Sequence, residues 1–190
     1  MTLLQALHAL GYDSPRWVSP SGRVVFTDPG DAGSSITKHS FHGGADVLEH
    51  PSTRDWWTNG GELARDVEAM ASAFPSFRIA TEADRPPVWE GTIDTGYGLF
   101  EIRIEHRFDH GLPRIIPIKP SRRGASRGGR FMRSPHLFDS GTLCVAEPSD
   151  WDPARDTSAT VVAWAAHWHA CYVMWFISGI WPSDGVTENE

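Results

Sequence analysis

Cys144 and His136 carry the clearest chemical signal in the chain. They lie in Ser134-Pro135-His136-Leu137-Phe138-Asp139-Ser140-Gly141-Thr142-Leu143-Cys144-Val145, a stretch outside any amphipathic pattern, with a Gly-containing turn just before the cysteine. A cysteine after such a turn is expected to be exposed enough to react, and a His eight residues upstream can return to its neighbourhood across the turn. The pair therefore suits nucleophilic catalysis. Spacing alone does not decide, because a lone cysteine is usually a small buried hydrophobe.

Other residues have weaker claims. His167 and Cys171 stand one helical turn apart, which is half a metal site, but a site needs three or four ligands; a packed thiol and a satisfied imidazole are the simpler reading, and no metal or cofactor is expected. His169 is close in sequence but points elsewhere. His39, His42, His106 and His110 read as solvated. Arg122 to Arg133 lacks the glycine pattern of a phosphate loop, so it reads as a solvated, mobile loop, with an acidic protein beside Cys144 as its preferred partner if it binds anything.

The elements that must position Cys144 are legible around it. Leu63, Val67, Met70 and Phe74 recur at helical spacing until Pro75 stops the run. Phe77 to Ala80, Val88 to Ile93 and Leu99 to Glu105 are short β-type runs, the last two separated by a turn at Gly96-Tyr97-Gly98, and Ile115-Ile116 suits a proline-bearing edge strand. A four-stranded antiparallel meander follows, with Ser121 to Arg133 as an exposed loop. Thr157 to Ile177 is a long helix ended by Gly179, with Val161, Trp164, Trp168, Tyr172 and Trp175 on one face for packing on the sheet. Before Gly61 only a helix at Leu3 to Leu10 and strands at Trp17-Val18 and Val24-Val25-Phe26 suggest themselves. The fold class is α+β: an N-terminal helix, the meander, the cysteine loop and a long C-terminal helix. Residues 1–60 read as an extension and 61–190 as the catalytic domain.

Composition narrows the function classes. The 190 residues, 40% hydrophobic with nine Trp and nine Phe, suffice for one core without staples, and two cysteines make no disulfide framework. The net charge of −7 argues against a nucleic-acid binder, yet His110 to Phe138 holds no acid and seven cations: Arg114, Lys119, Arg122, Arg123, Arg127, Arg130 and Arg133. Lysines are only Lys38 and Lys119. A GC-rich genome explains that scarcity, as does a carrier that modifies lysines. The opening residues show no leader and no run approaches the roughly 20 apolar residues of a membrane span, so a cytoplasmic protein without membrane partners is expected.

Taken in order, these features resemble the ubiquitin-conjugating family over roughly Gly61 to Pro182. In that family a His-Pro-Asn triplet precedes a Gly, the catalytic Cys follows that Gly by three residues, and a Trp-Ser-Pro comes later. Gly141 and Cys144 keep the offset, Ser134-Pro135-His136 stands for the triplet, and Trp151-Asp152-Pro153 for Trp-Ser-Pro. Phe74-Pro75-Ser76-Phe77 and Trp89-Glu90-Gly91 resemble the family's passage from first helix into meander. Gly179-Ile180-Trp181-Pro182 looks most like bacterial members of antiviral defence operons, which pair a conjugating enzyme with an activating enzyme and a ubiquitin-like protein or a nucleotide-signalling enzyme.

The resemblance implies a thioester carrier in which Cys144 takes the C-terminus of a ubiquitin-like modifier from an activating enzyme and passes it to an amine of a target protein. Gly141, Trp151, Asp152 and Pro153 would support the site. His136, in the place of the family's Asn, would either donate a hydrogen bond to the oxyanion or act as base toward the amine. No acid aligns with the family's acidic gate; Asp150, Asp152 and Asp156 are near in sequence but suit turn and N-cap positions. The first helix, with Glu62, Asp66 and Glu68 against Arg65, lacks the basic face that eukaryotic members offer their activating enzyme. A non-catalytic relative that binds a ubiquitin-like protein, and a Cys-His hydrolase using Cys144 and His136 with an orienting third group, are the alternatives.

Overall fold

A computed structural model describes residues 17–18, 24–25, 41, 43–50, 55–82 and 84–182. The expected helix at Leu3 to Leu10, Phe26, His39 and His42 lie outside them. Trp17–Val18 (β1) and Val24–Val25 (β2) pair antiparallel. Helix α1 spans Gly60–Ala73, capped by the Asn59 side chain on the Gly61 N–H. Strands β3 (Arg78–Glu82), β4 (Arg85–Asp94), β5 (Leu99–Glu105) and β6 (Arg114–Lys119) form a sheet in the order β3-β4-β5-β6, the expected meander.

Alternation on the central strands fixes the inner face. Phe100, Ile102 and Ile104 of β5 are buried, as are Trp89 and Ile93 of β4, and the register sets Trp89 opposite Ile104 and Ile93 opposite Phe100. The outer face carries ion pairs, Arg103 with Glu90 at 2.6 Å and Lys119 with Glu101 at 3.0 Å. Pro117 sits on the edge strand β6, where a missing N–H is tolerated.

Helix α2, Ser158–Ser178, opens at a Thr157–Thr160 capping box and closes at Gly179. The aromatic stripe is buried as its spacing predicts, but so is nearly every residue from Val161 to Tyr172. Such a helix must be covered on several sides. The sheet, α1, the β1–β2 pair and the aromatic rings of Phe41 and Trp181 supply that cover. Among the described residues no helix is long and apolar enough to cross a membrane.

Three expectations need correction. Residues Ser121 to Arg133 are not simply a loop: Gly124–Arg127 (β7) and Arg130–Arg133 (β8) form a two-stranded ribbon turned by Gly128 and Gly129, both at positive φ as a two-residue hairpin loop requires. β7 holds only Gly, Ala, Ser and Arg and β8 sets Phe131 directly beside Met132, so neither shows apolar alternation, which hid them. Arg123 is not solvated; at 3% exposure it donates to His169 Nε2 at 3.0 Å beside the rings of Phe100 and Tyr172, and burial lowers its pKa to about 10. In α1, Val67 is 37% exposed while Asp66 is buried, because polar partners rather than the hydrophobic stripe set the rotation of this helix.

Those partners tie α1 to α2. Asp66 accepts from Ser158 N at 2.6 Å, Ser158 Oγ at 2.9 Å and Trp89 Nε1 at 2.8 Å, and His106 Nε2 reaches Ser158 Oγ at 2.7 Å. Burial pushes the Asp66 carboxyl up, but His106 and the donors of Ser158 and Trp89 outweigh it and hold it below its ordinary value. Asp66→Ala is expected to cost roughly 3–5 kcal/mol in a urea titration, since it strands buried donors around a lost charge. The stability difference between the parent protein and Asp66→Asn is expected to be full at neutral pH. Because the folded pKa lies below the unfolded value of about 3.9, that difference begins to shrink as pH falls below the unfolded value and is lost once pH has fallen through the folded one. A difference that grew on acidification would contradict this assignment.

Candidate active site

The stretch from His136 to Cys144 folds into a tight hairpin. Leu137 bridges Leu143, Phe138 N–H donates to Thr142 O at 3.0 Å, and Gly141 N–H to Phe138 O at 2.8 Å. Gly141 turns the chain at φ +91°, a left-handed conformation that glycine adopts without strain. At the open end, Cys144 N–H donates to the carbonyl of His136 at 3.1 Å, so the eight-residue separation closes to adjacency. Leu143 N–H donates to Ile115 O at 2.9 Å and fastens the hairpin to β6.

His136 has φ +55°, a conformation unusual for a residue with a side chain but more common for Asn, Asp and His than for others. Its carbonyl is held a second time, by Trp168 Nε1 at 2.9 Å. Its ring lies 4.8 Å from that of Trp181 and 5.7 Å from that of Phe41, centroid to centroid. Phe41 in turn sits 5.1 Å from the ring of His167. The chain that follows Phe41 lies along the hairpin: Gly44 bridges Phe138, its carbonyl accepts from Asp139 N–H at 2.8 Å, and the Asp46 carboxylate takes both the N–H and the hydroxyl of Ser140. Further along, Arg107 donates to the carbonyls of Val47 and Leu48.

Cys144 is 1% exposed, against the expectation of an accessible thiol. No periodicity signals this burial, and Gly44 and Asp46, which bond to the hairpin at Phe138 and Ser140, lie outside the stretch carrying the resemblance. Trp168 does belong to a recognisable stripe, but its indole N–H is spent on the site as well as its ring on the core.

Trp151, Asp152 and Pro153 sit apart on a segment clamped at both ends. Trp151 Nε1 donates to His110 O at 3.0 Å, and Arg65 of α1 donates to the carbonyls of Pro153 and Ala154. The three acids nearby make local bonds: Asp150 accepts from Glu147 N–H, Asp152 from Ala154 N–H, and Asp156 from Asp152 N–H at 2.9 Å. Among the described residues no three His, Cys, Asp or Glu are grouped to hold a metal. His106 and His110 are not solvated as expected: His106 is buried on Ser158, and His110 stacks on Trp56 at 4.1 Å, where burial lowers its pKa. Asp66, His106 and Ser158 have the residue types of a hydrolytic triad, but Ser158 Oγ bonds both partners and is fully buried, so the group is a tie between helices.

The two thiols differ in what must move to free them. Burial within α2 pushes the Cys171 thiol up, and releasing it means breaking the core. Cys144 is buried at the base of a hairpin whose tip, Asp139 and Ser140, is exposed, so a local opening of the hairpin can free it. Labelling of the native protein with a thiol reagent is expected to be slow at both, with Cys144 reacting first at a rate nearly independent of low urea, and Cys171 only at the rate of global unfolding. Equal rates would contradict the assignment of Cys171 to the core alone.

Residues 66–189, well over half of the chain, match a family model described as Type II CBASS E2 protein. No curated protein and no solved structure matches the chain. The match takes in the meander, the Cys144 hairpin and α2. The chain therefore belongs to the Type II CBASS E2 family, a branch of ubiquitin-like conjugation in antiviral defence.

Proposed function

We propose that the protein accepts the C-terminal acyl group of a ubiquitin-like modifier, or of a nucleotide-signalling enzyme, from an activating enzyme as a thioester on Cys144 and passes it to an amine of a target. The observation that carries this reading is the hydrogen bond from Cys144 N–H to His136 O, which sets the cysteine beside the residue in the place of the family's Asn. Family membership supports the chemistry. In loading, the Cys144 thiolate attacks the activated carbonyl, a C–S bond forms and the activating enzyme's thiolate leaves. In transfer, an amine attacks the thioester, a C–N bond forms, the C–S bond breaks and the amine proton passes to a base. Gly141 shapes the hairpin, while Trp151, Asp152 and Pro153 support the site from the separate segment held by His110 and Arg65. Residues 1–60 serve as an extension to a catalytic domain over 61–190, and the cover over Cys144 must move for loading.

The burial of Cys144 favours a second reading, a relative that binds a ubiquitin-like partner without loading it. Single-turnover discharge separates the two. Protein preloaded by its activating enzyme and ATP, then mixed with free lysine, is expected to lose its adduct with formation of a lysine conjugate. Binding of the partner with no adduct under any loading condition would favour the second reading.

A further inference from the structure

The β7–β8 ribbon is an open surface that the proposed reaction does not use. Every residue of β8 is exposed, and within the described residues its outer edge pairs with no other strand. An open edge presents unpaired N–H and C=O groups to any extended chain. Phe131 and Met132 are 49% and 47% exposed on it. Arg122 lies over the Phe131 ring at 4.4 Å, Arg133 donates to Phe138 O, and Arg122, Arg130 and Arg133 have no carboxylate within 4.0 Å among the described residues. Arginines alone are a common guard against edge pairing, but a guard does not need two large apolar side chains between them. In a protein of net charge −7, this acid-free segment is the place that attracts negative charge.

We infer that the β8 edge receives an extended protein segment in which two adjacent apolar side chains are flanked by carboxylates, the tail of the partner that delivers the acyl group, because the pleat sets Arg130 and Met132 on one face and Phe131 and Arg133 on the other. Main-chain bonds along β8 give the affinity, Phe131 and Met132 meet its apolar side chains, and Arg122 and Arg130 meet its carboxylates. The location favours a tail, because β8 continues through Ser134 and Pro135 to His136, whose carbonyl holds Cys144, and three residues of chain reach at most about 10 Å. The identity of the tail rests on the reading of Cys144 as carrier, whereas binding to β8 does not.

The test therefore uses the full chain carrying Cys144→Ser. A fluorescein-labelled peptide repeating Glu-Val-Val-Glu is titrated by anisotropy beside its counterpart with lysine for glutamate and a thymidine oligonucleotide, at low and high salt. The acidic peptide is expected to bind, to weaken with salt, and to lose about 10–100-fold in affinity in Arg122→Glu/Arg130→Glu. Phe131→Ser/Met132→Ser is expected to weaken it with little change in salt dependence. Hydrogen exchange on peptide addition is expected to slow at Arg130 to Arg133. No binding, affinity unchanged in both double variants, protection elsewhere than β8, or tighter binding of the oligonucleotide would each overturn the inference, the last pointing to nucleic acid instead. Absence of a thioester in the cysteine protein would overturn only the carrier reading.

Discussion

Cys144→Ser is expected to abolish the reductant-sensitive adduct while leaving the fold intact. A hydroxyl is a poor nucleophile without a strong base beside it, and Ser is close enough in size to keep the hairpin closed. The backbone N–H of residue 144 still donates to His136 O in the variant, so the hairpin is expected to stay closed, with the modest loss of stability that a hydroxyl brings to a buried position. Any adduct that accumulates would be an oxyester and would resist reductant. Cys171→Ser is expected to load normally, since its thiol is locked in α2, although the polar hydroxyl at a fully buried position will cost stability. A variant of Cys144 that charged and discharged like the parent, or a larger loss from Cys171→Ser, would refute the assignment.

The second large effect is expected at His136. Loss of its imidazole should slow transfer from Cys144 by about 10²–10³-fold, with a much smaller effect on loading, as for removal of a single oxyanion donor. His136 itself already sits at φ +55°, so Ala keeps much the same left-handed strain while losing the ring. His136→Gly provides the control, since it relieves the backbone without restoring the side chain. Asn then separates the two chemical roles: an amide replaces a donor but not a base, and it tolerates the left-handed conformation. Recovery by Asn with a flat pH profile would identify an oxyanion donor. Failure of Asn, with a parent rate that follows a pKa near ~6.5, would identify a base. Discharge of His136→Ala and His136→Gly at the parent rate across that range would exclude both.

Much of the scaffold was legible because its signals are local. Alternation of Phe100, Ile102 and Ile104 against charged neighbours and the spacing of the Trp residues in α2 follow from burial of one face, and Pro117 marks β6 as an edge strand. The hairpin was legible through Gly141 and the offset to Cys144. What escaped depends on contacts between distant segments. Asp66 turns inward because donors from β4 and α2 await it, some 23 and 92 residues away. Arg123 is buried because Phe100, Tyr172 and His169 enclose it, although its neighbours in sequence read as a solvated loop. Cys144 is buried in a fold where Gly44 bridges Phe138 and Asp46 pairs with Ser140, contacts that leave no periodic trace.

The most direct test is the mass and location of the acyl group. The protein, its activating enzyme, ATP and the candidate modifier are incubated, quenched without reductant and measured intact, then digested for peptide mapping. The account predicts an added mass equal to the modifier less one water, released by thiol and mapped to the peptide containing Cys144. An adduct stable to thiol, an adduct mapped to Cys171 or to a lysine of the chain, or no adduct while the activating enzyme is fully charged would contradict it.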